Sequence, residues 1–179
     1  MQYRRARIRG GTYFFTIVTY QRINILCTPK NIGLLRDAFN YIKRRHSFKI
    51  DAIVILPDHL HFVMTLPQDD SDFPNRIRQI KSYFSRNVTV PEYQKNDSRI
   101  RKKEKLVWQR RYWEHVIRDE KDFIRHVEYI HYNPVKHNLV GSPKDWEYSS
   151  FHCYVKEKIY DLNWGSSQEL IFEEGVGRE

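Results

Sequence analysis

The chain has 179 residues, 40% of them hydrophobic, which suits one compact domain with a core of its own. Its two cysteines, Cys27 and Cys153, lie far apart and without metal-ligand spacing, so the sequence excludes a disulfide framework and a zinc knuckle. The N-terminus lacks an apolar signal core and no apolar run reaches membrane-spanning length, so we expect a soluble protein of the reducing cytoplasm.

Positive charge is concentrated in one segment. The formal net charge is +9, and residues 76 to 118 hold 13 Lys or Arg against four acids. In the rest of the chain, the numbers of basic and acidic residues are equal. This is typical of a surface that binds a polyanion, although a solvated charged face has the same composition. Aromatic residues accompany the basic ones in Trp108–Trp113, which suits unstacked bases unless these rings belong to the core.

The first half of the chain predicts strands and helices in alternation. The predicted elements are a strand at Thr12–Thr19, a helix at Lys30–Arg45, strands at Ala52–Leu56 and Phe62–Leu66, and a helix from Phe73 to about Val88. The apolar residues with helical spacing, expected to face inward, are Ile32, Leu35, Phe39 and Ile42 in the first helix and Ile77, Ile80 and Phe84 in the second. Arg76, Arg78 and Lys81 are expected to face outward.

In the second half, Pro91–Lys105 is polar and aperiodic and is predicted to be a mobile basic loop. Val107–Arg118 is predicted to be a strand or hairpin edge. A third helix begins near Asp119 and is expected to be interrupted at Asn133-Pro134, because proline lacks an amide hydrogen. The order βαββαβα predicts an α+β, ferredoxin-like antiparallel sheet with helices mainly on one face.

We expect the domain to span residues 1–142. Residues 143–179 would then form a C-terminal tail, either packed on the domain through Trp146, Phe151 and Trp164 or partly disordered.

The segment Pro57–Phe62 contains two histidines separated by one residue, His59 and His61, in a β-prone context. Side chains at positions i and i+2 of a strand leave the same face, so two imidazoles at this spacing can bind one metal ion. A hydrogen-bonded or solvent-facing pair of histidines is the structural alternative.

A second polar group lies on the predicted third helix. Tyr129 and Asn133 are four residues apart, so their side chains share one helical face. A tyrosine becomes a competent nucleophile when a metal ion polarises its electrophile, and an amide oxygen can complete a metal shell begun by two histidines. Imidazole and amide ligands favour Mn²⁺ or Mg²⁺ over a closed zinc site. Tyr129 can equally be a packed or surface tyrosine, and His126, one turn earlier, is a candidate acceptor of its proton.

Three separated motifs, in order, resemble those of a known family. They are Leu56-Pro57-Asp58-His59-Leu60-His61-Phe62, then Trp108–His115, and then Tyr129–His137. The chain resembles the single-tyrosine HUH transposases of the IS200-like type, and among them the REP-associated tyrosine transposases of bacteria. The similarity runs from about Gly10 to Trp146 and implies the HUH endonuclease fold.

The resemblance implies a mechanism and a ligand set. His59, His61 and Asn133 would bind a divalent metal, Mg²⁺ or Mn²⁺. Tyr129 would attack a phosphodiester of single-stranded DNA, giving a 5′-phosphotyrosine link and a free 3′-hydroxyl, and the reverse attack would rejoin the strand. Tyr132 is a second candidate nucleophile, although the alignment of the motifs favours Tyr129.

The resemblance also implies that the partners are single-stranded and hairpin-forming DNA repeats, bound by a monomer or a homodimer on the bacterial nucleoid. No membrane and no small-molecule substrate are expected. The candidate DNA-binding residues are Arg4, Arg5, Arg7, Arg9, Arg78, Lys81, Arg110 and Arg111. Two other functions remain open: a relative that holds repeat hairpins without cutting them, and a metal-dependent hydrolase of small substrates that uses His59, His61 and Asp58.

Overall fold

The computed structural model describes residues 7–89, 107–166, 170–172 and 176–177. Its strands are β1 (Thr12–Val18), β2 (Lys49–Ile55), β3 (His59–Thr65) and β4 (Trp113–Val116). Its helices are α1 (Pro29–Arg45), α2 (Phe73–Asn87), α3 (Glu120–Lys136) and α4 (Phe151–Lys156), and short 3-10 turns lie at Tyr20–Arg22 and Pro143–Asp145. Among these residues, no helix combines the length and apolar character needed to cross a bilayer.

The four strands form one antiparallel sheet in the order β2-β3-β1-β4. Successive side chains of a strand point to opposite faces, and β1 is buried on both. Tyr13, Phe15 and Ile17 belong to the core formed with α1 and α2, whereas Phe14 belongs to a second core beneath α3. Two of the three long helices therefore cover one face, and the predicted α+β architecture is confirmed.

Each of the three long helices begins after a side chain that caps it. Thr28, Asp72 and Asp119 precede the three long helices, and each side chain accepts a hydrogen bond from a backbone amide of the first turn. The apolar residues predicted to face inward on α1 and α2 are all buried. Local sequence therefore sets both the ends and the inner faces of these helices.

The prediction that Arg76 faces outward is wrong. The residue is 2% exposed, and its guanidinium contacts the Asp70 carboxylate at 2.6 Å and the Ser47 carbonyl at 2.8 Å. Further hydrogen bonds reach the carbonyls of His46 and Asp72. Arginine is tolerated at this depth because its donors are satisfied, and it ties the start of α2 to the end of α1.

Two predicted boundaries also differ. The third helix does not stop at Asn133-Pro134 but continues to Lys136, with Pro134 in its last turn. Only Trp113–Val116 of the segment Val107–Arg118 forms a strand, because residues 107–112 approach the sheet through a single bridge between Trp108 and Thr19. The predicted basic loop at 91–105 lies outside the described residues.

Several residues after 142 pack on the domain. Trp146 donates its indole N–H to the Ile55 carbonyl at 3.0 Å, and Phe151 is fully buried. Residues 148–150 run along the outer edge of β2, where the Ser150 amide donates to the Ile53 carbonyl at 2.8 Å. The division of the chain at residue 142 stays a prediction.

Candidate active site

Strand β3 places His59 and His61 on the sheet face covered by α3. Val63, two residues further along the same face, packs in the core beneath α3. The centres of the two imidazole rings are 4.9 Å apart, the rings are nearly perpendicular, and both side chains are buried. The predicted convergence of the two histidines is therefore present.

Each imidazole is oriented through its Nδ1 atom. His59 Nδ1 lies 2.6 Å from the Asp58 carboxylate, and His61 Nδ1 lies 2.9 Å from the Thr16 hydroxyl. These contacts make Nε2 of each ring the nitrogen that would coordinate a metal, in the way that outer carboxylates orient histidine ligands. Burial raises the pKa of Asp58, but hydrogen bonds and charge from His59 and Arg22 outweigh it, and the net pKa is lowered.

Helix α3 brings Tyr129 to this pair. The Tyr129 ring centre is 5.3 Å from that of His61, and the side chain is only 1% exposed. Its hydroxyl donates to the Gly177 carbonyl at 2.9 Å and accepts a hydrogen bond from the Lys136 ammonium, also at 2.9 Å. The ring of Tyr132, the second candidate nucleophile, lies 5.9 Å from that of Phe172.

On the chain, Asn133 lies between two residues whose rings contact His61 and His59. One turn before it, Tyr129 meets His61, and one turn after it, the His137 ring is 5.0 Å from that of His59. The Asn133 amide is buried, and neither of its polar atoms has a hydrogen-bond partner among the residues that the structure describes. A buried amide in that state costs about 1 to 3 kcal/mol, and an ion or water commonly accounts for it. The two imidazoles and this amide thus fit a divalent cation.

A second polar cluster lies nearer the start of α3. His115, Asp122 and His126 have ligand atoms within 4.8 Å of one another, close enough to share a cation. Burial raises the pKa of Asp122, but hydrogen bonds from His115 and Arg118 bring it to about 2. His126 Nδ1 donates to the Asp122 carbonyl at 2.8 Å. Because hydrogen bonds and the Arg118 charge already satisfy Asp122, this cluster serves to join α3 to β4.

The candidate DNA-binding residues do not form one group. Arg78, Lys81 and Arg110 line a cavity of about 420 Å³ together with Tyr112, on the side of the sheet that carries α2. The exposed Arg7 and Arg9 precede β1, at the opposite end of that strand from Val18, which pairs with His59. Arg111 is exposed beside the cavity, and Arg4 and Arg5 lie outside the described residues.

Sequence reasoning missed three neighbours of the candidate site. Lys136 and His137 stand in the third motif, four residues or fewer after Asn133, so the helical repeat could have indicated them. Gly177, from the end of the chain, carries no local signal for its contact with Tyr129.

Comparison with known proteins supplies the family. The model of the family "Transposase IS200 like" matches residues 9–133. A Haemophilus influenzae relative named for the REP-associated tyrosine transposases is 45% identical over 168 residues, covering 94% of this chain and 95% of its own. An Escherichia coli REP-associated tyrosine transposase is 40% identical over 163 residues, covering 91% and 90%.

A solved structure, described as the REP-associated tyrosine transposase bound to a REP hairpin, superposes with a TM-score of 0.81 at 37% identity. It covers all of this chain and 98% of its own. Fold, sequence and coverage agree along almost the full length. The chain therefore belongs to the IS200-like transposases and, among them, to the REP-associated tyrosine transposases.

Proposed function

We propose that this chain cleaves and rejoins single-stranded DNA beside hairpin-forming repeats, with Tyr129 as the nucleophile. The observation that carries the proposal is the 5.3 Å between the ring centres of Tyr129 and His61, which brings a phenol from α3 to an imidazole pair on β3. The solved relative is described as bound to a REP hairpin, and this supports hairpin DNA as the substrate. One chain contributes all of these residues, so a single copy contains the whole candidate site.

His59, His61 and Asn133 are the residues that would hold a divalent metal, which this family generally implies. Bound there, Mg²⁺ or Mn²⁺ would polarise the scissile phosphodiester and offset its negative charge. Asp58 and Thr16 would keep the two imidazoles in the ligating orientation.

In the proposed reaction, the Tyr129 oxygen attacks phosphorus in line with the bond that breaks. The phenolic oxygen loses its proton and bonds to phosphorus, while the bond from phosphorus to the 3′ oxygen breaks. That oxygen takes up a proton and becomes a 3′-hydroxyl, and the strand is left joined to Tyr129 through its 5′ phosphate. Because one ester replaces another, the step is reversible and the strand can be rejoined.

The basic residues would hold the rest of the strand. Arg78, Lys81 and Arg110 surround the cavity of about 420 Å³, which would take a phosphate and an unpaired base against the Tyr112 ring. Together with Arg111 and the N-terminal arginines, they supply sequence-independent contacts to phosphates.

A covalent adduct tests the proposal. Wild-type protein incubated with Mn²⁺ or Mg²⁺ and hairpin oligonucleotides carrying a single-stranded flank should give a complex that survives denaturant. Tyr129→Phe should give none, whereas Tyr132→Phe, the matched control on the same helix, should react like wild type. An adduct that depends on Tyr132 and persists in Tyr129→Phe would overturn the assignment.

A non-cleaving hairpin-binding protein is the second candidate function. The observation that favours it is the burial of Tyr129, whose hydroxyl is held by Gly177. This function gives salt-sensitive hairpin binding, with no adduct in either metal across a range of flanking sequences.

A further inference from the structure

The Lys136 ammonium makes two contacts with the same side chain. It donates a hydrogen bond to the Tyr129 oxygen at 2.9 Å, and it lies 4.8 Å from the centre of the Tyr129 ring. Lys136 occupies the last turn of α3, two turns beyond Tyr129. The helix thus brings a fixed positive charge to the atom that would bond to phosphorus.

The two partners of that oxygen have different roles. The Gly177 carbonyl accepts the hydroxyl proton, whereas Lys136 donates to an oxygen lone pair. Once the proton has left, the carbonyl can only repel the oxygen, and the ammonium interacts with it more strongly. A charge-assisted hydrogen bond is about twice as strong as a neutral one, and burial of Tyr129 reduces screening by water.

Three histidines near Tyr129 are engaged elsewhere. Nδ1 of His61 contacts the Thr16 hydroxyl, and its Nε2 is the nitrogen assigned above to a metal. The His137 ring lies against His59, and His126 stacks on His115 with its Nδ1 bonded to the Asp122 carbonyl. Among the described residues, the geometry therefore singles out Lys136 as the cation that touches the phenolic oxygen.

We propose that Lys136 is a second catalytic residue, whose ammonium stabilises the Tyr129 oxygen as the leaving group when the strand is rejoined. This inference rests on the proposed function. In rejoining, the 3′-hydroxyl attacks phosphorus and loses its proton to water, the bond from phosphorus to the Tyr129 oxygen breaks, and its electron pair stays on that oxygen. The phenolate then takes a proton from water, and Lys136 keeps its own protons throughout. One preorganised donor to a developing oxyanion contributes roughly 100-fold or more to rate.

The test separates rejoining from binding. The covalent complex of wild type, Lys136→Met and Lys136→Arg is isolated on one hairpin oligonucleotide, a strand with a 3′-hydroxyl is added, and formation of joined strand is timed. We expect rejoining to slow about 100-fold in Lys136→Met. Lys136→Arg should recover most of the rate, and hairpin affinity should stay near wild type in both. Lys121→Met, which removes a charge from the exposed first turn of the same helix, is the matched control.

A better leaving group supplies a readout that a purely structural role would not change. With 3,5-difluorotyrosine at position 129, the leaving oxygen needs less stabilisation, so the defect of Lys136→Met should shrink several-fold. Equal rejoining by wild type and Lys136→Met would overturn the inference, and so would a defect that fluorination leaves unchanged. Failure of the wild-type protein to form any adduct would instead contradict the proposed function itself.

Discussion

The hydroxyl of Tyr129 donates a hydrogen bond to the backbone carbonyl of Gly177, 2.9 Å away and 48 residues later in the chain. Gly177 has a positive φ of 66°, and a Cβ atom added there would collide with the Tyr129 ring. The close approach therefore requires glycine. In the proposed reaction, a phosphodiester would reach the phenol only after this contact has opened.

Gly177→Ala should expose Tyr129, because the added methyl group fits neither the backbone conformation nor the space against the ring. One neutral hydrogen bond contributes roughly 1 kcal/mol, so we expect adduct formation with a hairpin oligonucleotide to become about five times faster. Gly141→Ala, at a glycine with open space around it, should leave the rate unchanged. A slower Gly177→Ala would show that this contact assists the reaction.

Asp58→Asn should weaken metal binding, since the carboxylate that holds His59 Nδ1 at 2.6 Å is removed. Removal of an outer partner of this kind typically costs 10- to 100-fold in affinity. Calorimetric titration with Mn²⁺ measures the change in metal affinity. The exposed Asp69→Asn is the control, and an affinity that falls equally in both variants would contradict the role of Asp58.

Asn133→Leu should have opposite effects on stability and on metal affinity. Replacing a buried amide that lacks hydrogen-bond partners among the described residues should raise the free energy of unfolding by about 1 to 3 kcal/mol in metal-free buffer. The same change should weaken Mn²⁺ binding, whereas Asn133→Asp keeps an oxygen ligand and should retain it. Urea unfolding in a chelator checks the first effect. A less stable Leu variant would mean that the amide has a partner in the folded protein.

Acid should destabilise the protein through His131, because burial lowers the pKa of this imidazole from 6.5 to about 3. Between those values the unfolded chain binds a proton that the folded protein does not. The contribution of neutral His131 to the free energy of unfolding is therefore complete above pH 6.5. It falls by about 1.4 kcal/mol for each pH unit as the pH drops towards 3. Unfolding free energies of wild type and His131→Phe, measured from pH 7 to pH 4, should show the smaller slope in the variant. Parallel slopes would refute the assignment.

Arg78→Gln should reduce the salt dependence of hairpin binding, since Arg78 lines the basic cavity. The slope of log affinity against log salt should fall by roughly 0.7 to 0.9 for each phosphate that the variant no longer neutralises. Arg45→Gln provides the control, because Arg45 does not line this cavity. Its guanidinium lies on α1, 4.4 Å from the centre of the Tyr41 ring. If the two variants changed the slope alike, the cavity would not be a specific DNA contact.

Local patterns in the sequence predict most of the helices and strands, and they predict which side chains of the candidate site share a strand or helix face. A run of aromatic and β-branched residues predicted β1, and helical spacing predicted α1 and α2. The two-residue period of a strand placed His59 with His61, and the helical repeat placed Tyr129 with Asn133. The wrong orientation of Arg76 has a physical cause, since its burial depends on Asp70 and on carbonyls that end α1. The contact of Tyr129 with Gly177 joins distant positions, and no local period encodes it.

Strand β3, which carries both histidines, is flanked by β2 on one side and β1 on the other, so its backbone amides are paired in two ladders. Amides in such a strand exchange with deuterium only when a large part of the domain opens. The imidazoles are thus held by a central strand of the sheet, whereas Tyr129 lies on a helix packed against that sheet. Removal of a metal bound at the proposed site should therefore leave the deuterium exchange of β3 slow, and the metal should rebind without refolding of the domain.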